Sequence, residues 1–374
     1  MLKKQIGELP IPYVYTEGSN EERGYQHGSE CAELIKTNIN ICKDMCCFLR
    51  ETRWKIILQD VRRFINPIKK YDKGLFEEME GIAEGAGVSL EEILLLNVRS
   101  EVMHPVWMKA SITEGCTSFV ITPTLTKNGK VFAAQTWDWI NLAKECLIVL
   151  HSKDLSGHQF ITVTEAGIIA NIGCNSNKLG VILNYLSVFD INPKGVPYHI
   201  LLRRALDSTN IVEAQRNLLR SPLAFAINVM LADGDGKSIG YELTAGGVDF
   251  YLEKPGYLVH TNHILSDKLM VREVNKHLFP DSETRYRIAD AFLHSSEAVQ
   301  IEDIIRLFST HVDSEYNICH HLEEDHNYKY GIATLFTVIM ELTEMRMYLS
   351  LGTPCDSEFY ELDLNRIFNG HQEE

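Results

Sequence analysis

Apolar residues in this chain change their spacing near residue 110, and that switch restricts the folds open to it. Upstream the spacing is helical. Glu21 to Glu51 carries apolar residues at Ala32, Ile35, Ile39, Cys42 and Met45, and Trp54 to Tyr71 repeats the pattern through Ile57, Val61, Phe64 and Ile68, with Pro67 expected to bend or end it. A third helix is expected over Leu75 to Glu84, broken by Gly85 and Gly87, and a Ser89–Glu92 capping box opens a fourth through Leu96. Downstream the pattern shortens to strands. Cys116 to Pro123 and Lys130 to Trp139 flank Asn128-Gly129, a strong hairpin signal.

Further strands fit Glu145–Leu150, Gln159–Glu165, Val181–Tyr185, Ala226–Ala232, Ser238–Leu243, Tyr257–His260, Leu335–Glu341 and Met345–Leu351. Helices fit Val196–Ser208, Ile211–Leu219, Ser282–Phe292 and Ser296–Thr310. Runs of strands, a helical block and strands again predict a layered α+β protein with mainly antiparallel sheets. Segment 1–115 reads as a helical leader packed on a strand-rich segment 116–374, the two forming one unit.

A formal net charge of −15 argues against nucleic acid and anionic membrane surfaces as partners. No run approaches the roughly 18 apolar residues of a membrane span. The opening run lacks an apolar signal-peptide core and the end lacks a targeting tripeptide, so a reducing cytoplasm is the expected location. Nine cysteines at uneven spacing form no disulfide framework, and Cys42, Cys46 and Cys47 read as small core hydrophobes.

One dipeptide carries chemistry. Cys116 directly follows Gly115 and opens an apolar strand. A chain cut between them would begin with a residue holding a thiol and a free α-amine. A thiol titrates near about 8.5 and an α-amine near about 7.7–8.0, so the amine can accept the thiol proton near neutral pH.

Landmarks in order along the chain extend this reading. They are Arg23-Gly24-Tyr25-Gln26-His27-Gly28, Glu80-Gly81-Ile82-Ala83-Glu84-Gly85, Glu114-Gly115-Cys116-Thr117-Ser118 and Gln135-Thr136-Trp137-Asp138. Thr164-Glu165-Ala166-Gly167, Asn184-Tyr185, Gly195-Val196-Pro197, His260-Thr261-Asn262-His263 and Ala333-Thr334-Leu335-Phe336 follow. In this order and wording the chain resembles the acyl-coenzyme A:6-aminopenicillanic-acid acyltransferase family, the C45 cysteine peptidases of the N-terminal-nucleophile hydrolases.

The resemblance implies a four-layer αββα sandwich made as one precursor and cleaved between Gly115 and Cys116. Two chains would then stay paired without a covalent bond. It implies Cys116 as nucleophile, Asn262 as a side-chain oxyanion donor, Asp138 as a carboxylate near the new amine and Ser118 as a small hydroxyl residue near the cut. Asn184, Tyr185 and Tyr330 are candidate substrate contacts. In the penicillin-forming member, a serine and an arginine stand where this chain has Tyr330 and Gly331, so recognition of a penicillin nucleus does not carry over. Lys329 stands one position away.

Simpler readings stand beside these. Asp138 between Trp137 and Trp139 could cap a turn, and His27 between glycines reads as a local hydrogen bond. His260 and His263 lack an H-E-x-x-H pattern, and His320-His321 beside Glu323-Glu324-Asp325 reads as a solvated loop, so no metal is expected. The expected function is an autoprocessed cysteine amidohydrolase or acyltransferase acting on a small N-acyl compound, with hydrolysis favoured. No cofactor is expected, apart from an acyl-coenzyme A co-substrate if the reaction is transfer. The competing reading is an unprocessed, inactive relative serving as a binding or scaffold protein.

Overall fold

The switch near residue 110 is visible in the computed structural model, which describes residues 9–107, 115–271, 273, 281–312, 317–322 and 331–370. The helices of the leader are α1 (Asn20–Glu30), α2 (Ala32–Leu49), α3 (Trp54–Val61), α4 (Ile65–Tyr71), α5 (Lys73–Ala86) and α6 (Leu90–Trp107). Ser19 and Glu22 form a capping box at the start of α1, and the Glu92 carboxylate reaches back to the Ser89 N–H before α6. Pro67 lies in the first turn of α4, where its missing N–H leaves no helical bond unmade.

Two expectations for the leader are corrected. Before the helices lies a strand, β1 (Tyr13–Gly18), so the leader is not purely helical. Gly85 does not break α5, which ends at Ala86 with Gly87 in the left-handed conformation at φ 65°. Gly85 instead permits close approach: a Cβ there would lie 2.2 Å from the Tyr25 carbonyl oxygen, and one at Gly24 would lie 2.0 Å from that of Glu78. The glycines of α1 and α5 face one another and bring two helix backbones into contact.

The strand-rich part begins with β2 (Ser118–Ile121), β3 (Phe132–Ile140), β4 (Leu147–Asp154), β5 (Gln159–Glu165), β6 (Ile172–Asn175) and β7 (Leu179–Tyr185). Helices α7 (Tyr198–Leu206) and α8 (Ile211–Leu219) follow, then β8 (Ala226–Asp233), β9 (Ser238–Thr244), β10 (Gly247–Tyr251) and β11 (Tyr257–His260). The last elements are α9 (Ser282–His294), α10 (Ile301–Phe308), β12 (Ile332–Glu341), β13 (Arg346–Leu351), β14 (Phe359–Asp363) and α11 (Leu364–Phe368). The short strands β6, β10 and β14 are absent from the sequence reading. The helix expected over Ser296–Thr310 starts later, at Ile301, after a Gln300–Asp303 capping box.

The strands form two sheets, one of eight in the order β1-β4-β5-β6-β7-β8-β9-β10 and one of six in the order β11-β2-β3-β12-β13-β14. All pairings are antiparallel except β1 with β4, through which the leader adds a parallel edge strand to the larger sheet. Side chains of β2 show how the layers stack. Val120 joins a core with Val181, Leu183 and Val229 of the other sheet, while Phe119 and Ile121 pack with Leu293 of α9 and Leu307 and Phe308 of α10. A strand buried on both faces belongs to an inner layer. The leader helices with α7 and α8 cover the larger sheet, α9 and α10 cover the smaller one, and the architecture is αββα.

Candidate active site

The hairpin register places the Gly115–Cys116 peptide. Ser118 pairs with Gln135, and the Thr136 N–H donates to the Thr117 carbonyl, so the same register sets Cys116 opposite Trp137 and Gly115 opposite Asp138. Asp138 therefore arrives beside the Gly115–Cys116 peptide through strand pairing, although 22 residues separate it from Cys116 in the chain.

Both sides of Cys116 are held by buried groups. Its backbone N–H donates to Asn262 Oδ1 at 2.8 Å. Its carbonyl accepts from Arg285 Nη1 at 2.8 Å and from Asn184 Nδ2 at 3.2 Å. Arg285, fully buried on α9, also donates Nη2 to Asn262 Oδ1 at 3.0 Å and Nε to Asp281 at 2.6 Å. A Cβ on Gly115 would lie 3.0 Å from His320 Nε2 and 3.2 Å from Arg285 Nη2, so glycine leaves room for both.

Asn262 lies just past β11. Its Nδ2 donates to the Tyr185 carbonyl at 3.1 Å, which uses one of two N–H groups. Ser118 is linked to Cys116 through Asn184. Its hydroxyl donates to Asn184 Oδ1, which also accepts from Asn228 Nδ2 at 2.9 Å, and Tyr251 donates to Asn228 at 2.7 Å. This chain of side chains aims the Asn184 amide at Cys116. The buried Tyr185 ring packs on Phe225. Tyr330 and Lys329 lie outside the described residues.

Asp138 is fully buried; Thr334 donates to its Oδ1 at 2.6 Å, while His320 Nε2 stands 3.9 Å from its Oδ2. Burial raises its carboxyl to about 6, partly countered by His320, Thr334 and Arg285. Asp281 behaves oppositely. Burial opposes its charge, but Arg285 and His320 outweigh that and hold it well below the usual carboxylate range. The site thus joins a carboxyl that gains a proton readily to one that stays ionised, beside an Arg and a His.

Sequence reasoning missed Arg285, Asp281, His320 and Thr334. An Asp281-x-x-x-Arg285 spacing on an expected helix was the available signal, and it fits an ordinary surface pair equally well. Only folding shows that Arg285 points inward. His27 accepts from the Gly167 N–H at 3.1 Å, a long-range bond from α1 to the turn after β5 rather than the local one expected.

A model of the family described as acyl-coenzyme A:6-aminopenicillanic acid acyl-transferase matches residues 124–356. The chain belongs to this family. The matched span includes Asp138, Asn262 and Arg285, and membership places the chain in a family of acyl-transferring enzymes. A relative, the acyl-coenzyme A:6-aminopenicillanic-acid-acyltransferase 40 kDa form of Emericella nidulans, is 27% identical over 344 residues, covering 91% of this chain and 93% of its own. Protein dcd1A of Dictyostelium discoideum is 26% identical over 163 residues, 40% of this chain and 35% of its own. Among solved structures, a conjugated bile acid hydrolase from Clostridium perfringens aligns with a TM-score of 0.47 at 15% identity, over 67% of this chain and 93% of that one. Penicillin V acylase from Agrobacterium tumefaciens aligns at 0.44 and 14%, over 67% and 87%. Among the described residues, no helix is long and apolar enough to cross a membrane.

Proposed function

We propose that this chain is an N-terminal-nucleophile amidohydrolase or acyltransferase that cleaves itself between Gly115 and Cys116 and then works through an acyl-thioester on Cys116. The observation that carries this is the hold on Cys116. Asn262 takes its N–H, which belongs to the Gly115–Cys116 peptide, and Arg285 its carbonyl, which belongs to the next, so Cys116 is held on both sides by buried side chains.

In self-cleavage the Cys116 thiol loses its proton and the sulfur attacks the Gly115 carbonyl carbon. The C–N bond breaks, and the departing Cys116 nitrogen takes up a proton. Water then hydrolyses the thioester, releasing the Gly115 carboxylate and a free thiol. Asp138 takes the thiol proton, passes it to the departing Cys116 nitrogen and afterwards orients the resulting amine. In turnover the α-amine accepts the thiol proton and the sulfur attacks the acyl carbon of a small N-acyl substrate; the amide C–N bond breaks, the leaving amine takes that proton, and water or an acceptor amine then releases the acyl group and restores the thiol. The second N–H of Asn262 Nδ2 is suited to the oxyanion, since a neutral donor stabilises developing charge without ionising. Asn184 and Tyr185 border this position. Hydrolysis is favoured because water outcompetes an amine unless the site selects the amine. If transfer operates, acyl-coenzyme A is the donor suggested by the Emericella nidulans relative's name.

Contacts from the leader support continued pairing after the cut. Asn38 donates to the Ala166 carbonyl, Asn97 brackets Gly167 and Ile169, and Arg99 pairs with Glu165. We place the enzyme in the cytoplasm, in keeping with cysteines that stay reduced.

Intact-mass measurement tests the reading. Purified wild type should appear as two chains split between Gly115 and Cys116, while Cys116→Ala should remain one chain of 42.6 kDa. A wild-type protein that stays whole and takes up no thiol-directed acyl probe would sink it.

A further inference from the structure

Four metal-ligating side chains converge outside the site described so far. His311 follows α10, Cys319 and His321 lie on the segment 317–322, and Cys355 lies in the loop joining β13 to β14. His311 Nε2 stands 3.0 Å from His321 Nε2, and Cys319 Sγ stands 3.6 Å from Cys355 Sγ. His321 Nε2 is 3.2 Å from Cys355 Sγ and 3.6 Å from Cys319 Sγ. All four donor atoms lie within 4.8 Å of one another.

Those four separations lie within about 0.4 Å of one geometry. A tetrahedral zinc ion with bonds of about 2.3 Å to sulfur and 2.05 Å to nitrogen spaces its ligands about 3.8 Å (S–S), 3.4 Å (N–N) and 3.6 Å (S–N) apart. A disulfide fits less well, because the sulfurs are separated by well over the roughly 2.05 Å of that bond, and two imidazole nitrogens would still face one another. His321 Nδ1 lies 3.9 Å from Asp356 Oδ2, longer than a hydrogen bond but on the side from which a carboxylate would orient a metal-bound imidazole.

We propose that His311, Cys319, His321 and Cys355 bind one zinc ion. Two thiolates and two imidazoles fill a tetrahedron and leave no position for substrate, which makes the site structural. On binding, the two thiols release their protons to solvent and the ion takes the four lone pairs. Three of the ligands are exposed at the surface, giving the ion an entry path.

The ion would act on the active site through one residue. His320 lies between two of the ligands. Its N–H donates to Thr334 Oγ1 at 3.0 Å, and the same hydroxyl donates to Asp138. A clip joining 311, 319, 321 and 355 therefore fixes the segment that sets His320 beside Gly115 and Asp281. The sequence reading expected no metal because the ligands come from three separate segments and form no compact spacing motif.

The test uses the full chain, purified under reducing conditions, saturated with zinc and exhaustively dialysed. It needs no activity, so its result is independent of the proposed reaction. Elemental analysis should give one zinc per chain, and Co(II) loading should give tetrahedral bands with thiolate charge transfer. Cys355→Ser, at an exposed loop position, should keep the far-UV circular dichroism of the wild type. It should also retain at least tenfold less metal and lose the charge-transfer band, and His321→Ala should behave alike. Three results would overturn the proposal: no retained zinc in the wild type, a Cys319–Cys355 disulfide in the reduced preparation, or undiminished metal in both variants.

Discussion

Two buried carboxylates, Glu78 within the leader and Asp138 of the candidate site, sit in opposite electrical surroundings. Glu78, on α5, receives both nitrogens of the Arg203 fork at 2.5 and 2.8 Å and Arg23 at 3.3 Å. Burial opposes its charge, but the two guanidinium groups outweigh this and its carboxyl falls below its ordinary value. Asp138 has one hydroxyl donor and an imidazole 3.9 Å away, and its carboxyl rises to about 6. The first environment is matched to the charge; the second leaves the charge undersupplied. Undersupply wastes stability in a purely structural group, whereas a group that must exchange a proton near neutral pH requires it.

The largest effect that tests this contrast is on chemistry. Asp138→Asn should slow self-cleavage by about 10²–10⁴-fold, the range for loss of a positioned acid–base group, followed as the decay of the intact chain by mass spectrometry. The variant should fold normally. Wild-type cleavage rates surviving in Asp138→Asn would reduce Asp138 to a packing residue.

Glu78→Gln makes the same chemical change at the other carboxylate and should act on stability instead. Removing this carboxylate's charge leaves Arg23 buried without its counter-charge and Arg203 with Asp207 alone, a loss of about 3–5 kcal/mol. Urea unfolding in a Cys116→Ala background, where one chain unfolds, measures it. Self-cleavage in Glu78→Gln, assayed well below its midpoint, should stay near wild type. A Glu78→Gln variant as stable as its parent would erase the contrast.

Legibility in the sequence divides along the same line. Helical and strand periods came through because each element buries a continuous face, and the family came through as landmarks ordered along the chain. Strands β1, β6, β10 and β14 were lost because they are short, and β1 is also an edge strand whose partner lies over a hundred residues away. Gly85 was misread as a breaker because sequence cannot distinguish a glycine that ends a helix from one that admits a second backbone. Arg285 and His320 were missed for a related reason. An arginine on a helix and a histidine in an acidic loop look like solvent-facing groups until folding turns them inward, and no period encodes that turn.

The smallest effect is also the most direct measure of the undersupplied charge. Asp138 has a folded value of about 6 against an ordinary 3.8, so the native state holds the extra proton between those limits. Stability must then fall as pH rises through this window, in the sense opposite to an ion-paired carboxylate such as Glu78. Two units at 1.36 kcal/mol each bound the change at about 3 kcal/mol, with His320, Arg285 and Asp281 facing the carboxyl and Thr334 bonded to it. In the uncleaved Cys116→Ala chain, adding Asp138→Asn should leave stability nearly unchanged near pH 4. At pH 7 it should raise it by about 1–3 kcal/mol, because the amide has no charge to bury. Paired urea titrations at the two pH values give the difference directly. If Asp138→Asn destabilises equally at both, the carboxylate is paid for by its neighbours after all, and the site resembles the leader's closed ion pair.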